Sequence, residues 1–541
     1  MTLDDLARSP HRPAQYLVEI TAFAGGEGRA GGIATLAEIP LADLPAGGAV
    51  TGIEAVFRYA DRHWAGEPTD PEMANVFYEG RVTAPLVMDR NMPLLPEEER
   101  RVQRQLGNIE IHNADGALDE LVTYAVDGRA VRVLFGPAGG AYGDFTVIAN
   151  VLATGWEADD INARVLLRDL SFALDQPLQR TLYAGTGGAE GGEEIKGKPK
   201  PLCFGRARNI TPVLIDPARL IYQWHDGAGL AADGVYDRGA AITFSGADVA
   251  DYAALAAATV PAGNYTTANG VSMFRLGSTP AGLVTADVRG DADPSYVDAI
   301  DTIALRALTA RAGLRSSLID TATWAALGAA APGEMGIYIG EQETPTTSDV
   351  VNRLVGAVGG WWGASRTGLL RAGRLTDPAD ETPVLPLDQY DILTLEPEAT
   401  PIPRWRQRVA YRPNWTPQQT DIAPGVTPER RQFLVGPERV EPATDETVRT
   451  RRLGADDPPP LTSFFDAPAD AKALADDLLA LYSPDRRIFR ATVKRLGYLL
   501  DLGACVSVTW PRLGLGAGRN FIVIGIREEA DRDETVLRLW G

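Results

Sequence analysis

The sequence contains very few of the residues that build metal sites and disulfide frameworks. Only two cysteines, Cys203 and Cys505, occur among its 541 residues. Two thiols cannot form a four-thiolate zinc or iron–sulfur site, and they cannot form a framework of disulfides. We therefore expect each cysteine to be a small buried apolar residue, and we predict no metal and no other cofactor.

Histidine is scarce as well. The four histidines are His11, His63, His112 and His225. No two of them have the helical spacing of a metal site, and the HExxH zinc motif is absent. His112 in IHNADG and His225 in WHDG stand at the ends of predicted strands, so we expect them to be hydrogen-bonded residues at turns rather than metal ligands.

Long apolar runs and a secretory signal are also missing. No run approaches the roughly 18 apolar residues that suggest a membrane-spanning helix. The N-terminus, MTLDDLARSPHRPAQYLVEI, has Asp4 and Asp5 where a signal peptide carries positive charge, and no apolar core follows. We expect a protein without a membrane-spanning segment that is made in the cytoplasm and is not exported by a cleaved signal.

Positive charge is in deficit. The chain has 52 basic and 72 acidic residues, which gives a net charge of −20. A chain this acidic repels nucleic acid and anionic membranes. The charge therefore argues against a nucleic-acid-binding protein, although DNA could still pass along such a surface without binding to it.

Aromatic residues make up only 7% of the chain, whereas its 56 glycines and 38 prolines are frequent, which indicates short strands and turns rather than long helices. A chain of this length is too long for one core, and roughly two to four domains are expected. The part of the chain before the glycine-rich stretch at 185–201 is predicted to be β-rich. The strands predicted there include AQYLVEITAF, GIEAVFRY, NIEIHNAD, RAVRVLFG and GDFTVIANVLA.

Residues 291–376 change to a helical period and are predicted to form an α+β unit. Asp293, which precedes a proline, is expected to cap a helix that Gly313 ends. A second helix fits 321–330, and the strand MGIYIG follows it. Ser348 is expected to cap a third helix, after which GGWWGASRTGLLRAGRL is typical of a hairpin.

Residues 377–460 are rich in Pro, Asp, Glu and Thr, with strands predicted at Ile392–Leu395 and Arg406–Arg412. The segment ADDPPP (455–460) is predicted to be a linker. A helix is predicted after Asp466, and four strands, RIFRATVKRL, ACVSVTW, RNFIVIGI and TVLRLW, end the chain.

One pattern occurs twice. GRAVRVLF begins at Gly128 and is followed by Phe145 in FTVI, and GACVSVTW begins at Gly503 and is followed by Phe521 in FIVI, at nearly the same spacing. Each copy then passes through an acidic turn and returns in a strand, VLLR or VLRL. The simplest interpretation is two similar β-barrel-like units in one chain. Coincidence is the alternative, because strand–turn–strand patterns often resemble one another.

The glycine-rich stretch 185–201 contains a partial phosphate-binding motif. Residues 192–198, GEEIKGK, match the first seven positions of a P-loop, with Gly192, Gly197 and Lys198 at its fixed positions. Pro199 replaces the Ser or Thr that holds magnesium. Two glutamates inside the motif would repel phosphates, and the prolines prevent a helix in the usual register. We therefore predict a mobile surface loop, with the hypothesis that it contacts a neighbouring protein.

Other catalytic patterns are weak. Ser365 lies in GASRTG, which has one residue too many for a serine-hydrolase elbow and is predicted to form a hairpin turn. A glycosidase pair is conceivable in so acidic a chain. Candidates in NADGALDE, which is also a strong turn sequence, are Asp115, Asp119 and Glu120. The pair Trp361-Trp362 fits core or interface packing better than ligand stacking, and we assign no catalytic, cofactor-binding or metal-binding residue.

The sequence resembles the tail hub, or baseplate hub, proteins of long-tailed bacteriophages and related gene transfer agents. Most of the chain carries the similarity. The clearest segments are GDFTVIANVLATGWEADDINARVLLRDL, KGKPKPLCFGRARNITPVLID, VYDRGAAITF, DVVNRLVGAVGGWWGASRTGLLRAGRL and GACVSVTWPRLGLGAGRNFIVIGI. These motifs are structural rather than catalytic.

The resemblance implies a mainly β, multidomain hub fold with two related β-barrel-like domains and an α+β domain. It also implies a homotrimer at the tail tip or baseplate of a virion. Such a hub joins the sixfold tail tube and distal tail ring to a threefold central fibre, contacts the C-terminus of the tape-measure protein, and closes the channel until DNA ejection. DNA passes without specific binding, and no enzymatic activity is expected.

Four domains are predicted. The first barrel-like domain takes residues 1–184, and the glycine-rich loop with a β-rich domain takes 185–290. The α+β domain takes 291–376, and extended linker segments with the second barrel-like domain take 377–541. Because the chain stops after the last predicted strand, receptor recognition is expected in another protein. The alternatives are a tail-associated carbohydrate-active enzyme, or depolymerase, and a receptor-binding tail protein.

Overall fold

The structure is a computed structural model that describes residues 2–9, 11–25 and 52–541. Strands hold 39% and helices 21% of the residues, so the predicted mainly β, multidomain fold with α+β parts is confirmed. In the described residues the strands form three large sheets and two small ones. Residues 26–51 of the predicted first domain lie outside the described residues.

The N-terminal part of the chain builds the first sheet. After a short helix, α1 (Leu3–Ala7), the strands are β1 (Ala14–Gly25), β2 (Gly52–Ala60), β3 (Trp64–Ala65), β4 (Phe77–Gly80), β5 (Val82–Ala84), β6 (Val87–Asn91), β7 (Gln103–Leu106), β8 (Asn108–His112), β9 (Ala130–Pro137), β10 (Thr146–Ala158) and β11 (Asn162–Arg168). Nine of them form the sheet, in the spatial order β3-β4-β2-β1-β9-β10-β11-β8-β5. The other two, β6 and β7, leave this sheet and join the third.

The second sheet follows the glycine-rich loop. Its strands are β12 (Leu202–Ile210), β13 (Val213–Asp216), β14 (Ile221–Gln223), β15 (Gly229–Asp237), β16 (Ala240–Asp248), β17 (Asn264–Ala268), β18 (Met273–Leu276), β19 (Val284–Asp291) and β20 (Gly336–Ile339), with helix α2 (Tyr252–Ala257) after β16. The spatial order is β13-β14-β18-β17-β16-β15-β19-β12-β20. Because β20 comes from the predicted α+β unit, this sheet connects two of the predicted domains.

Three helices and a hairpin form the α+β part. They are α3 (Ile300–Arg306), which continues as a π-helical turn, α4 (Thr321–Ala330), α5 (Thr347–Gly356), β21 (Trp361–Ala364) and β22 (Leu370–Gly373). The predicted second helix, third helix and hairpin are therefore present, although the starts of two helices differ from the sequence prediction.

The first of these helices starts at Ile300, so the prediction that Asp293 caps it is wrong. The cause is the Arg306 side chain, which pairs with Asp291 and donates to the Ser295 carbonyl at 3.1 Å. These contacts, with a further one from Arg306 to the Asp293 carbonyl, hold residues 293–295 as a bend before the helix. A guanidinium from the second turn of the helix thus occupies the groups that would otherwise begin it.

The third helix is capped by Thr346 and not by Ser348. Thr346 Oγ1 accepts the Asp349 N–H at 3.0 Å, and Asp349 Oδ2 accepts the Thr346 N–H at 2.9 Å, which is a capping box. Gly313 ends the helical segment that begins with α3, as predicted. Its N–H donates to the Thr309 carbonyl at 3.0 Å, and its φ of 73° suits glycine.

The C-terminal part builds the third sheet and a small one. Its elements are β23 (Leu385–Leu387), β24 (Ile392–Glu398), β25 (Arg406–Tyr411), α6 (Pro428–Val435), β26 (Arg439–Thr444), α7 (Glu446–Arg451), β27 (Leu461–Thr462), α8 (Pro468–Tyr482), β28 (Ile488–Val493), β29 (Cys505–Val508), β30 (Arg519–Glu529) and β31 (Glu534–Trp540). The third sheet has the order β23-β29-β30-β31-β28-β24, and β6 pairs with β30. Strands β25, β26 and β27 form the small sheet.

The segment predicted to be a linker, ADDPPP, is packed against the small sheet. The Asp456 N–H donates to the Pro403 carbonyl at 2.9 Å, and Asp457 pairs with Arg406 and Arg408. Its prolines have no backbone N–H to donate, so the segment forms no regular strand or helix and its sequence is typical of a linker. The arginines of β25, distant in sequence, hold the segment in place.

The largest hydrophobic core joins the α+β part to the third sheet. Helix α5 contributes Val350 and Leu354, and the sheet contributes Val506, Ile524 and Leu539, all nearly inaccessible to solvent. Each such side chain stabilises the fold by about 1.5–3 kcal/mol through burial. The shared core fixes the third sheet relative to the helices.

Candidate assembly surfaces

Five strands in the first sheet have the same arrangement as five strands in the third. Strands β5, β8, β9, β10 and β11 have the spatial order β9-β10-β11-β8-β5, and β24, β28, β29, β30 and β31 have the order β29-β30-β31-β28-β24. All four neighbouring pairs in each set are antiparallel. We call the two sets the first unit and the second unit. The chain order and the spatial order both match, as the repeated sequence pattern predicts.

Two register shifts in the first unit have counterparts in the second, whereas the shift between Val147 and Ala149 in the β9–β10 ladder has none in β29–β30. The β5–β8 ladder shifts register after Val82, and the β24–β28 ladder shifts after Ile392. The β10–β11 ladder shifts at Gly155, and the β30–β31 ladder shifts at Gly525. A β-bulge bends one strand at a defined place. Two matching bulges therefore make the likeness specific to these units rather than general to antiparallel sheets.

The glycines that begin the repeated pattern make the same backbone bonds. The Gly128 N–H donates to the Ala153 carbonyl at 2.9 Å, and the Gly503 N–H donates to the Val523 carbonyl at 2.9 Å. Each accepting residue returns its own N–H to the residue that follows the glycine. The φ angles are 71° at Gly128 and 83° at Gly503, a left-handed conformation that favours glycine.

The predicted residue correspondence is wrong in the second strand of each pattern. When the two units are aligned on their bulge glycines, Gly155 and Gly525, the residue four positions before each glycine is Val151 in one and Phe521 in the other. Phe521 therefore corresponds to Val151 and not to Phe145. Phe145 instead precedes β10, at the end of a short 3₁₀ turn. The sequence alignment fails because β10 is longer than β30, which places the two phenylalanines at different points of the ladder.

The β6–β7 hairpin ties the two units together. It follows β5 of the first unit along the chain, but β6 pairs with Gly525–Glu529 in the distal half of β30. The Met92 N–H donates to the Ile524 carbonyl at 2.9 Å, and the Ala530 N–H donates to the Leu86 carbonyl at 3.2 Å. Within one chain, the first unit therefore adds a strand to the edge of the second.

A polar and aromatic cluster lies where the two units meet. The Tyr16 and Tyr498 hydroxyls are 2.9 Å apart, and the Tyr16 hydroxyl donates to Asp533 at 2.8 Å. Arg495 pairs with Asp533 at 2.6 Å, and the rings of Phe135 and Tyr498 are 5.1 Å apart. Burial raises the pKa of both tyrosines, so their hydroxyls remain protonated.

Buried charges lie under the β6 crossing. Arg366 pairs with Glu528, Arg90 lies 3.9 Å from Glu528, and all three side chains are at most 8% exposed. Arg90 pairs with Asp501 at 2.5 Å. Burial disfavours the charged form of Asp501, but Arg90, Arg366 and Arg371 outweigh it and lower its pKa. The sequence analysis did not predict this cluster of buried charges. The signal that could have indicated it is a single charged residue within an otherwise apolar strand.

The glycine-rich loop 185–201, predicted to be a mobile surface loop, is held by contacts to the residues around it. The backbone carbonyl of Tyr183, just before the loop, accepts the Gly197 N–H at 2.9 Å. Ile195 is buried in the same apolar cluster as the Tyr183 ring. Lys198 pairs with Glu341 at 3.2 Å, and a strand rather than a helix follows the loop. These contacts direct the lysine away from the phosphate position of a P-loop.

The most enclosed histidine, His225, is a structural residue. Its Nδ1 accepts the Cys203 N–H at 3.0 Å, and its Nε2 lies 3.0 Å from Arg311 and 3.7 Å from Asp291. Burial, with the positive charges of the nearby arginines, lowers its pKa well below 6.5. Cys203 and Cys505 are free and buried, as predicted. The other three histidines lie in exposed positions.

The two tryptophans of the hairpin are core residues, as predicted. Trp361 is 8% exposed and Trp362 is fully buried, with its indole N–H donating to Asn352 at 2.7 Å. Ser365 also lies in the predicted turn, where its Oγ accepts the Leu369 N–H at 3.1 Å. Ser365 is 6% exposed, so burial rather than any single contact keeps both indole rings and this hydroxyl from a ligand.

The candidate acids of NADGALDE form a turn and not a cleft. Asp115 pairs with Arg81 at 2.7 Å, and the hydrogen bonds from Arg81 lower the pKa of Asp115. Asp119 accepts an N–H from Asn113 at 2.8 Å. Glu120 follows at the start of a short 3₁₀ turn. A glycosidase acid requires a raised pKa, which is the opposite of the shift at Asp115.

Metal-binding clusters and membrane-spanning helices are both absent from the described residues. Within residues 2–9, 11–25 and 52–541, no three His, Cys, Asp or Glu side chains are grouped so that they could hold a metal ion. No helix in the described part of the chain has the length and the apolar character that crossing a membrane requires.

Comparison with known proteins gives structural neighbours only. No family model and no curated protein matches the chain. The 43 kDa tail protein of prophage MuSo2 from Shewanella oneidensis is 11% identical, covering 86% of this chain and 94% of its own, with a TM-score of 0.38. A tail protein from Neisseria meningitidis MC58 is 12% identical, covering 84% and 91%, with a TM-score of 0.33. A chain of a native gene transfer agent virion is 15% identical, covering 69% and 92%, with a TM-score of 0.41.

Proposed function

We propose that this chain is the structural hub of a phage tail tip or baseplate. Three copies form an adaptor between the sixfold tail tube, with its distal tail ring, and a threefold central fibre. The adaptor contacts the C-terminus of the tape-measure protein and closes the channel until DNA is ejected. The chain acts as a virion structural protein without catalysis of its own.

The duplicated unit carries this proposal. Each chain holds two units with the same strand order, two matching register shifts and the same glycine turns. Three chains around one axis therefore present six similar units, which is what a junction between sixfold and threefold parts requires. An enzyme of this size would need a cleft with paired functional groups, whereas the acids of NADGALDE are committed to a turn.

Charge fits the passage of DNA. Each chain carries a net charge of −20, so a trimer carries about three times that charge. An acidic channel repels the phosphate backbone and prevents DNA from binding as it passes. The proposal predicts that the purified protein does not retain duplex DNA at physiological salt.

The test is the mass and symmetry of the purified chain. Light scattering should give about three times 57.9 kDa, and particle images should show a threefold ring with six similar lobes. A monomer or dimer at the highest soluble concentration contradicts the trimer. A trimer whose images show three lobes contradicts the role of the duplicated unit. Turnover of host polysaccharide would favour the depolymerase instead.

A further inference from the structure

The two units differ at one strand edge, and this difference points to an interface. In the second unit, the distal half of β30 pairs with β31 on one side and with β6 on the other. In the first unit, the distal half of β10, residues 155–158, pairs with β11 alone among the residues that the structure describes. Among the described residues, no strand of the first unit takes the position that β6 occupies in the second.

The backbone groups on this open edge point outward. The Asp159 N–H donates to the Asn162 carbonyl at 2.9 Å, which fixes the alternation of the β10–β11 ladder. Gly155 and Glu157 therefore face β11, and the N–H and C=O groups of Trp156 and Ala158 face away from it. An unpaired row of such groups is a template for a strand from another chain.

The turn beyond this edge is acidic and exposed. Glu157, Asp159 and Asp160 are all exposed, and Ile161 beside them is 55% exposed. The N–H groups of Ile161 and Asn162 donate to Asp159 and lower its pKa, so it remains anionic at neutral pH. We call residues 157–161 the acidic turn.

A basic groove lies on the second unit, immediately after β24. It has a volume of about 930 Å³, and residues 400–403 form one wall. Its arginines are Arg451, Arg452, Arg486, Arg487 and Arg519. Leu453 and Ile402 stand at the groove with exposures of 99% and 60%. We call this the arginine groove, and it is unusual in a chain with a net charge of −20.

Positive charge in the arginine groove is only partly balanced. Arg452 pairs with Asp485 at 2.8 Å, and Arg486 pairs with Asp377 at 2.6 Å. Arg519 is half-buried, and burial together with repulsion from Arg487 and Arg486 lowers its pKa. An anionic group entering the groove would relieve this repulsion.

The duplication relates the groove to the acidic turn. Within one chain, the segment that follows β5 lies on the outer edge of β30, next to the turn at Ala530. The segment that corresponds to it in the second unit follows β24, and it is the wall of the arginine groove. If the contact inside the chain is repeated between copies, that wall meets the edge of β10 and the acidic turn.

We propose that a second copy of this chain occupies the open edge of β10 and receives the acidic turn in its arginine groove. The contact joins different surfaces of the two copies, so repetition around an axis closes a ring. The same docking mode then operates twice, once within each chain and once between chains. This proposal rests on the proposed trimer and adds the residues that hold it together.

Charge reversal tests the contact in the full-length chain. One variant carries Arg451→Glu and Arg452→Glu, a second carries Glu157→Arg and Asp160→Arg, and a third carries all four changes. We expect each of the first two to weaken self-association by about tenfold or more in sedimentation at low salt, because like charges then face each other. The third restores opposite charges and should return to within about threefold of the wild type.

Two further variants serve as controls. Arg180→Glu with Arg315→Glu makes the same charge change at exposed arginines outside the groove and should leave association unchanged. Ala158→Pro removes one outward N–H from the open edge of β10 while leaving the β11 ladder intact, and it should weaken association without lowering the melting temperature of the dissociated chain.

The outcomes separate the two proposals. If both reversals leave a wild-type trimer unchanged, this contact is wrong and the trimer forms through other surfaces. If each reversal weakens association but the fourfold variant does not recover, the groove and the acidic turn do not face each other and the inference is overturned. A wild-type chain that remains monomeric overturns both this inference and the proposed function.

Discussion

Removing the buried carboxylate under the β6 crossing should be far more damaging than the same change one residue later. Glu528→Gln leaves Arg366 buried without its paired acid, whereas Arg90 keeps its pair with Asp501. Breaking a buried ion pair by removing one partner costs about 3–5 kcal/mol, because the remaining charge is uncompensated. At about 1.4 kcal/mol for each factor of ten, the folding equilibrium should shift by about a hundredfold or more.

Glu529→Gln is the matched control. Glu529 is next in the strand, is 18% exposed, and pairs with Arg527 and Arg532, which are themselves 55% and 67% exposed. Exposed pairs of this kind contribute about 0–1 kcal/mol. Guanidinium unfolding followed by tryptophan fluorescence measures both variants, since buried Trp362 and Trp540 report on the same core.

Arg366→Met gives the second half of the test. Arg366 and Glu528 share one pair, so combining Arg366→Met with Glu528→Gln should cost less than the sum of the two single changes. Equal midpoints for Glu528→Gln and Glu529→Gln would refute the reasoning. Strict additivity of the two changes would refute the coupling between the residues.

Three further results are expected. Gly128→Ala and Gly503→Ala should each lower the free energy of unfolding by about 1–2 kcal/mol, because both glycines have positive φ; unequal losses beyond that range would contradict their equivalence. Burial opposes the charged form of Asp466, but its pair with Arg208 at 2.5 Å prevails and lowers its pKa, so the stability it adds is present above the unfolded value of 3.8 and is lost as pH falls below it. Thermal unfolding of Asp466→Asn should therefore depend less on acid pH than that of the wild type. Burial, reinforced by Asp291, raises the pKa of Cys203, which should resist thiol reagents at pH 8 until the chain is unfolded.

Elements with a local sequence signal could be predicted. The hairpin at Trp361 and the final strands follow from alternation and turn residues, since period-2 patterns depend on neighbours in sequence. Gly128 and Gly503 were found because a left-handed backbone position favours glycine wherever it occurs. The mainly β fold follows from the same signals.

Features that depend on distant residues could not be predicted. The cap expected at Asp293 fails because Arg306 folds back over the link before the helix. The loop 185–201 has the composition of a mobile segment, yet Tyr183 and Ile195 anchor it. Helix α6 and strand β26 were missed because the surrounding prolines and acids mask weak local preferences. The destination of β6 likewise depends on the edge of β30, a strand near the opposite end of the chain.

The repeated pattern shows how register limits such comparisons. Pairing VLLR with VLRL by sequence sets Val165 against Val536, although Val165 is buried and Val536 is half-exposed. The bulge glycines pair Val165 with Leu537, which is also buried. A shift of one residue exchanges the two faces of a strand, so the burial pattern corrects what letter matching cannot.

The asymmetry between two similar units has a consequence for assembly. A β edge that is filled within the chain cannot serve another chain, and an edge that stays open favours pairing. If both units carried an inserted strand such as β6, each chain would be complete alone. In the proposed contact, the edge of β30 is filled by β6 and the edge of β10, which no described strand fills, receives a second copy, so that each chain has one donor surface and one acceptor surface. The proposed contact is therefore head to tail, and in such a contact the angle between the two units sets the number of copies in the ring.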